Sequence, residues 1–165
     1  MTKVFLLLSV LCLSTGCTTK IAQMTAQQRS ERLASERGRL PQLTDPVAQT
    51  KSYIKISQLL VTFAADAIRN GQAGQMTDLM EQYSAAVQNA RDAIMASLRD
   101  AERRPAGYKD LELSLRAQLR LLQDINKLLL SEERAPVENA ITTASSVRNE
   151  MLLLLFPQSQ VQASR

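Results

Sequence analysis

Thr44–Gly71 reads TDPVAQTKSYIKISQLLVTFAADAIRNG, and this stretch decides the fold class. Asp45 before Pro46 is a helix start: the aspartate accepts from N–H groups of the first turn, and proline lacks a donor where none is needed. Apolar residues recur at Tyr53, Ile56, Leu60, Phe63 and Ala67, the three-four spacing of one helix face. Ile54, Leu59, Ala64 and Ile68 widen that stripe. Asn70-Gly71 supplies the stop, because both residues tolerate the left-handed conformation of a C-cap. A long amphipathic helix of this kind needs other elements to cover its face.

Those elements follow toward the C-terminus. The spacing predicts a second helix over 75–104, with Met76, Met80, Tyr83, Val87, Ala90, Ile94 and Leu98 on one face. Pro105 and Gly107 punctuate it. A third helix is expected over 106–131, with Tyr108, Leu111, Leu115, Leu119, Leu122, Ile125 and Leu129 inward. Leu113, Leu121 and Leu128 form a second apolar line beside the first, as on a helix with neighbours on two sides. A fourth starts at Pro136, shows Ala140, Ala144, Val147, Met151 and Leu154 on one face, and ends at Phe156-Pro157. Composition agrees: aromatics are 4% of the chain and glycine and proline number five each, while leucine and alanine abound. The expected fold is all-α. Over 45–157 it is an antiparallel up-down-up-down four-helix bundle, because short loops make consecutive helices antiparallel neighbours. The alternative is a short helical-repeat, solenoid-like array, which would show a period of about 34 residues. The tail 158–165 is polar and expected to be disordered.

Toward the N-terminus the chain becomes polar. Residues 17–44 carry sparse apolar residues, and although 25–37 has helical potential it lacks a continuous apolar face. The segment reads as a tether. Arg29, Arg32, Arg37 and Arg39 outnumber Glu31 and Glu36, giving it either a solvated character or an affinity for anionic headgroups.

The first residues form a separate unit, 1–16. Lys3 is a basic head, Val4–Leu13 an apolar run, and Ser14, Thr15 and Gly16 are small. That is the layout of an export signal, and it falls short of the roughly 20 apolar residues that span a bilayer. Cys17 follows at once. The stretch Leu13 to Cys17, LSTGC, resembles the lipobox of bacterial lipoproteins, although Ser14 stands where that motif usually has leucine. The resemblance implies cleavage between Gly16 and Cys17 and a lipid on Cys17. It also implies anchoring on the exported side of a membrane, facing the periplasm from the outer membrane where there are two. Ordinary signal cleavage would use the same bond and leave Cys17 as an unpaired thiol, since Cys12, the other cysteine, leaves with the signal.

The chemistry available is narrow. There is no histidine, which removes histidine bases, triads and metal ligands, and no glycine-rich phosphate loop. The formal charge of +4 is a modest excess, far from a nucleic-acid footprint, so nucleic acid is not an expected partner. No metal, cofactor or catalytic residue is expected. Three functions were open. The first is a non-enzymatic, lipid-anchored interaction or structural module with an envelope protein partner. The second is a carrier or sensor with a ligand pocket lined by Phe63, Met76, Met80 and Tyr83. The third is a cell-wall hydrolase using two of Asp66, Glu81, Asp92, Glu112, Asp124 and Glu150, which would have to face one cleft about 5–9 Å apart. Singly placed, these six read as solvated helix-face charges. The candidate partner contact is the corner at 98–112, where Arg103, Arg104, Tyr108 and Lys109 gather with Arg99 close to Asp100, Glu102 and Asp110 and can grip an anionic group or simply cap two helices. The run Met151–Phe156, MLLLLF, is apolar all round and needs cover from the N-terminal segment, a partner or a membrane.

Overall fold

The computed structural model describes Ile21 and residues 23–157. The described chain is all-helical, with no strand. Five helices follow one another: α1 Ala26–Arg39, α2 Pro46–Arg69, α3 Met76–Met95, α4 Tyr108–Leu128 and α5 Ala135–Leu155. None is long and apolar enough to cross a membrane.

The ends of α2 are made as the sequence reads. Asp45 accepts from the Ala48 N–H at 3.0 Å, Pro46 occupies the first turn, and Gly71 adopts a left-handed φ of 69°. The end of α3 differs from expectation. It stops at Met95, not near 104, because local side chains capture the backbone beyond it. Ser97 Oγ donates to the Ile94 carbonyl at 2.6 Å and accepts from Arg99 N–H at 3.4 Å. Asp100 Oδ1 accepts from the N–H groups of Glu102 and Arg103 at 3.0 and 3.3 Å. Leu98, expected inward, is therefore outside.

Two helical hairpins form the body. α2 and α3 are antiparallel across the turn 70–75, and the Thr50 hydroxyl near the start of α2 reaches the Ala90 carbonyl near the end of α3. α4 and α5 are antiparallel across 129–134, with Arg148 bonded to Glu112 at 3.1 Å. The hairpins then pack α2 on α4 and α3 on α5. These seams run parallel. Lys51 meets Asp110 and Gln58 meets Ser114 in the same order, and α3 follows α5 from a cleft at Met80 and Pro136 to the Arg91–Glu150 pair. So α3 and α4, consecutive in sequence, barely touch, and 96–107 carries the chain diagonally between them. The shared core holds Leu60, Ala64, Met80, Tyr83, Val87, Ile94, Leu115, Leu122, Ala144 and Met151. Of the second apolar line on α4, Leu113 and Leu128 face water.

The segment expected to be a tether contains α1, docked antiparallel along α2. Its start is a reciprocal cap between Thr25 and Gln28. Arg29 and Glu36 lie two turns apart on one face of α1 and are buried, opposite Asp66 and Ser52, which lie two turns either side of buried Leu59 on α2. Arg29 pairs with Asp66 and also donates to the Met24 carbonyl. Glu36 accepts from the Ser52 hydroxyl at 2.7 Å and is paired with Arg32 at 2.8 Å and Lys55 at 3.3 Å. The docking face is mostly charged, with Leu33 the apolar side chain between Arg29 and Glu36 that packs on the core, and one leucine makes no hydrophobic pattern. Burial is the largest influence on Glu36 and opposes its ionisation. The Ser52 hydroxyl, Lys55 and Arg32 together outweigh burial and hold its pKa below the ordinary value.

Candidate functional site

The connection 96–107 forms one corner of the molecule, and each of its turns has a local cause. The turn after α3 ends in Leu98, whose φ of 51° lies in the left-handed region that favours glycine. Its side chain is 92% exposed. The chain returns to the body at Gly107, where φ is 89° and an added Cβ would strike the Ile94 side chain. Gly107 N–H donates to Asp110 Oδ2 at 3.2 Å, which closes the first turn of α4.

Tyr108 locks the corner from beneath. Expected both on the inward face of its helix and as a contact residue of the corner, it is buried, and its hydroxyl donates to the Arg99 carbonyl at 3.1 Å, with the Ile94 carbonyl at 3.4 Å. It is thus a part of the frame and not of the surface. Arg103, Arg104 and Lys109 are exposed as expected. Arg103 pairs with Asp100 at 3.5 Å, and Arg99 reaches back to Asp45 at 3.3 Å. The corner therefore presents Leu98, its one large exposed apolar side chain, among charges of both signs: Arg103, Arg104 and Lys109 with exposed Asp100 and Glu102. The sequence reading missed Leu98 because it continued the helical stripe of α3 by a three-four step.

The end of α5 lies at the same end of the molecule. In MLLLLF, Met151 is wholly buried, Leu152, Leu154 and Leu155 are half-buried, and Leu153 and Phe156 are exposed. α1 packs along α2 rather than over this run.

The pocket residues of the carrier reading do not converge. Met76, Met80 and Tyr83 are packed in the core, whereas Phe63 lines a shallow cavity with Arg29 and Asp66. The Tyr83 hydroxyl is buried and has no hydrogen-bond partner among the described residues, and burial pushes its pKa up. Of the six carboxylates, Glu112 is buried and Asp66 and Glu150 are half-buried, whereas Glu81, Asp92 and Asp124 are solvent-exposed as expected. Asp66 is paired with Arg29 and Arg69, Asp92 and Glu150 with Arg91, and Asp124 with Lys127. Glu112 is buried and held by Arg116 at 2.8 Å and Arg148 at 3.1 Å. Glu81 is exposed and lines the cleft between α3 and α5. Among the described residues no group of three or more acidic, cysteine or histidine side chains is placed to hold a metal ion. Gly16 and Cys17 lie outside the described residues, as does the tail 158–165. No protein-family model, curated protein or solved structure matches the chain.

Proposed function

We propose that this chain is a non-enzymatic, lipid-anchored envelope protein, a four-helix up-down-up-down scaffold that presents its 96–107 corner to a protein partner. The observation that carries the reading is Leu98. A non-glycine residue in the left-handed region costs about 1–2 kcal/mol, and a leucine left in water forgoes roughly 1.5–3 kcal/mol of burial. Both costs fall on one residue that Ser97, Asp100, Gly107 and Tyr108 hold rigidly in place. A fixed apolar side chain on a corner that also carries Arg103, Arg104 and Lys109 suits a partner with a small apolar notch and acidic groups beside it. Ion pairing of the buried and half-buried carboxylates supports the non-enzymatic part, since a catalytic carboxylate must be free to exchange a proton or attack.

The orientation supports presentation. α1 begins beside Asp66, near the end of α2, whereas the corner lies at the start of α2. The 24 residues of α2 separate these ends by about 36 Å. With Cys17 in the membrane, the corner points away from it.

The test is a photoreactive side chain at position 98 of the full chain, activated in the native envelope. A discrete adduct is expected, and it should fade when Arg103, Arg104 and Lys109 are all changed to alanine. Equal labelling from position 113, an exposed leucine elsewhere on α4, would defeat the reading. The anchor is tested separately: Cys17→Ser should leave an unprocessed precursor or a soluble product.

A further inference from the structure

We infer that the end of the molecule opposite the 96–107 corner rests on the bilayer, with Leu128 and Leu130 in its headgroup layer. The inference depends on the anchored reading, in which Cys17 carries the lipid. It adds a contact surface which that reading does not require, since a lipid on a long, loose tether would let the body float clear.

The tether is short. Ile21 lines a cavity of about 430 Å³ between α2 and α4, together with Ile68, Leu121, Ile125 and Leu128. It lies four residue steps from Cys17, and a fully extended chain spans no more than about 3.6 Å per step, or roughly 14 Å in all. Just beyond, Arg29 fastens α1 to Asp66, so no slack is released downstream. A lipidated Cys17 sits at the membrane surface, and a partly inserted side chain reaches about 5–10 Å into the headgroup and acyl boundary. The end of the molecule is therefore drawn to within a few side-chain lengths of the bilayer.

That end carries apolar groups with no cover from the described chain. Leu128 is 69% exposed in the last turn of α4, and Leu130 is 63% exposed in the turn that follows. Around them charges of both signs mix: Lys127 pairs with Asp124 at 2.9 Å, Asp66 is shared by Arg69 and Arg29, the Arg134 guanidinium donates to the Leu129 carbonyl at 3.1 Å, Glu133 accepts from the Leu130 N–H at 3.3 Å, and Glu132 is exposed. The 70–75 turn beside them, NGQAGQ, has no charge at all. With no patch of one sign, a leucine-tipped end meets an uncharged lipid surface by apolar insertion, so its contact there should be insensitive to salt.

The experiment uses the full-length processed protein in phosphatidylcholine vesicles. A lipidated Cys17 leaves no other thiol, so Leu130→Cys and Arg103→Cys each accept one polarity-sensitive fluorophore. The label at 130 should shift to the blue, lose quenching by aqueous iodide, and be quenched by lipids spin-labelled near the headgroup, at low and high salt alike. The label at 103 should remain in water. Mass spectrometry of the same samples reports the N-terminus. A lipidated Cys17 with label 130 fully open to iodide overturns the docking alone, whereas an unmodified Cys17 overturns the anchor and the docking together. Quenching of label 130 that vanishes at high salt overturns apolar insertion.

Discussion

The Ser52 hydroxyl of α2 donates a 2.7 Å hydrogen bond to the Glu36 carboxylate of α1, and both side chains are out of water. With the Arg29–Asp66 pair two turns away, it makes α1 part of the folded body. Glu36→Ala leaves the Ser52 hydroxyl buried without that acceptor, at a cost of about 1–3 kcal/mol. Hydrogen exchange should show α1 amides losing protection while α2–α5 keep theirs. Unchanged protection in α1 would place its docking energy elsewhere.

The same carboxylate makes the docking acid-sensitive. Its folded-state pKa lies below the ordinary 4.5, so the charged form is favoured on folding. The stabilisation is complete above that ordinary value and disappears as pH falls through the lowered one. Protection of α1 should be flat from about pH 8 to 5 and should decline below about pH 4, the range where a glutamate protonates. Glu36→Gln should flatten that decline, and a decline of the same depth in the variant would assign the effect to another group.

Leu122 is wholly buried at the centre of α4, and Gln88 is exposed on α3. Leu122→Ala should lower stability by about 2–5 kcal/mol, while Gln88→Ala should stay within about 0.5 kcal/mol. Denaturant midpoints compare the two. Equal shifts would mean that the helix faces are assigned incorrectly.

The corner contains two left-handed residues with opposite expectations. Leu98→Asn relieves strain, because asparagine tolerates this conformation, and should raise stability by up to about 1 kcal/mol while removing the apolar contact to a partner. Gly107→Ala adds a methyl group where φ is 89° and Ile94 is already in place, and should lower stability by more than about 1 kcal/mol. Thermal unfolding of both variants checks the signs. A destabilised Leu98→Asn would show that the leucine contributes to the fold and is not held for a partner.

How legible each element was depends on what holds it. α2 could be read outright because Asp45-Pro46 and Asn70-Gly71 are local signals acting on adjacent backbone. The inward faces of α3, α4 and α5 followed from period alone. α1 was visible as a weak helix, but its docking depends on Arg29 and Glu36, whose partners stand 37 and 16 residues further on. A charge reads as solvent-facing until its partner is known, and Glu112 was misjudged for the same reason. Leu98 fits the stripe of α3 by spacing, but the hydrogen bonds of Ser97 and Asp100 end that helix first. Tyr108 stands on the inward stripe by spacing and among charges by neighbourhood; the turn at Gly107 carries it under the corner, so the spacing holds and the contact role does not.

The diagonal course of 96–107 has a consequence for assembly. Each hairpin closes over a short turn, so its contacts form between residues close in sequence and at little loop entropy. The seams between hairpins depend on the connection folding back, a course that the Tyr108–Arg99 hydrogen bond holds in place. If that latch opens, the α4–α5 hairpin of one copy satisfies the same seams on another copy, and the result is an exchanged dimer built from native contacts. Tyr108→Phe at high protein concentration should enrich such a dimer on size exclusion. A variant that stays monomeric after refolding from concentrated denaturant would show that the connection is rigid without its latch.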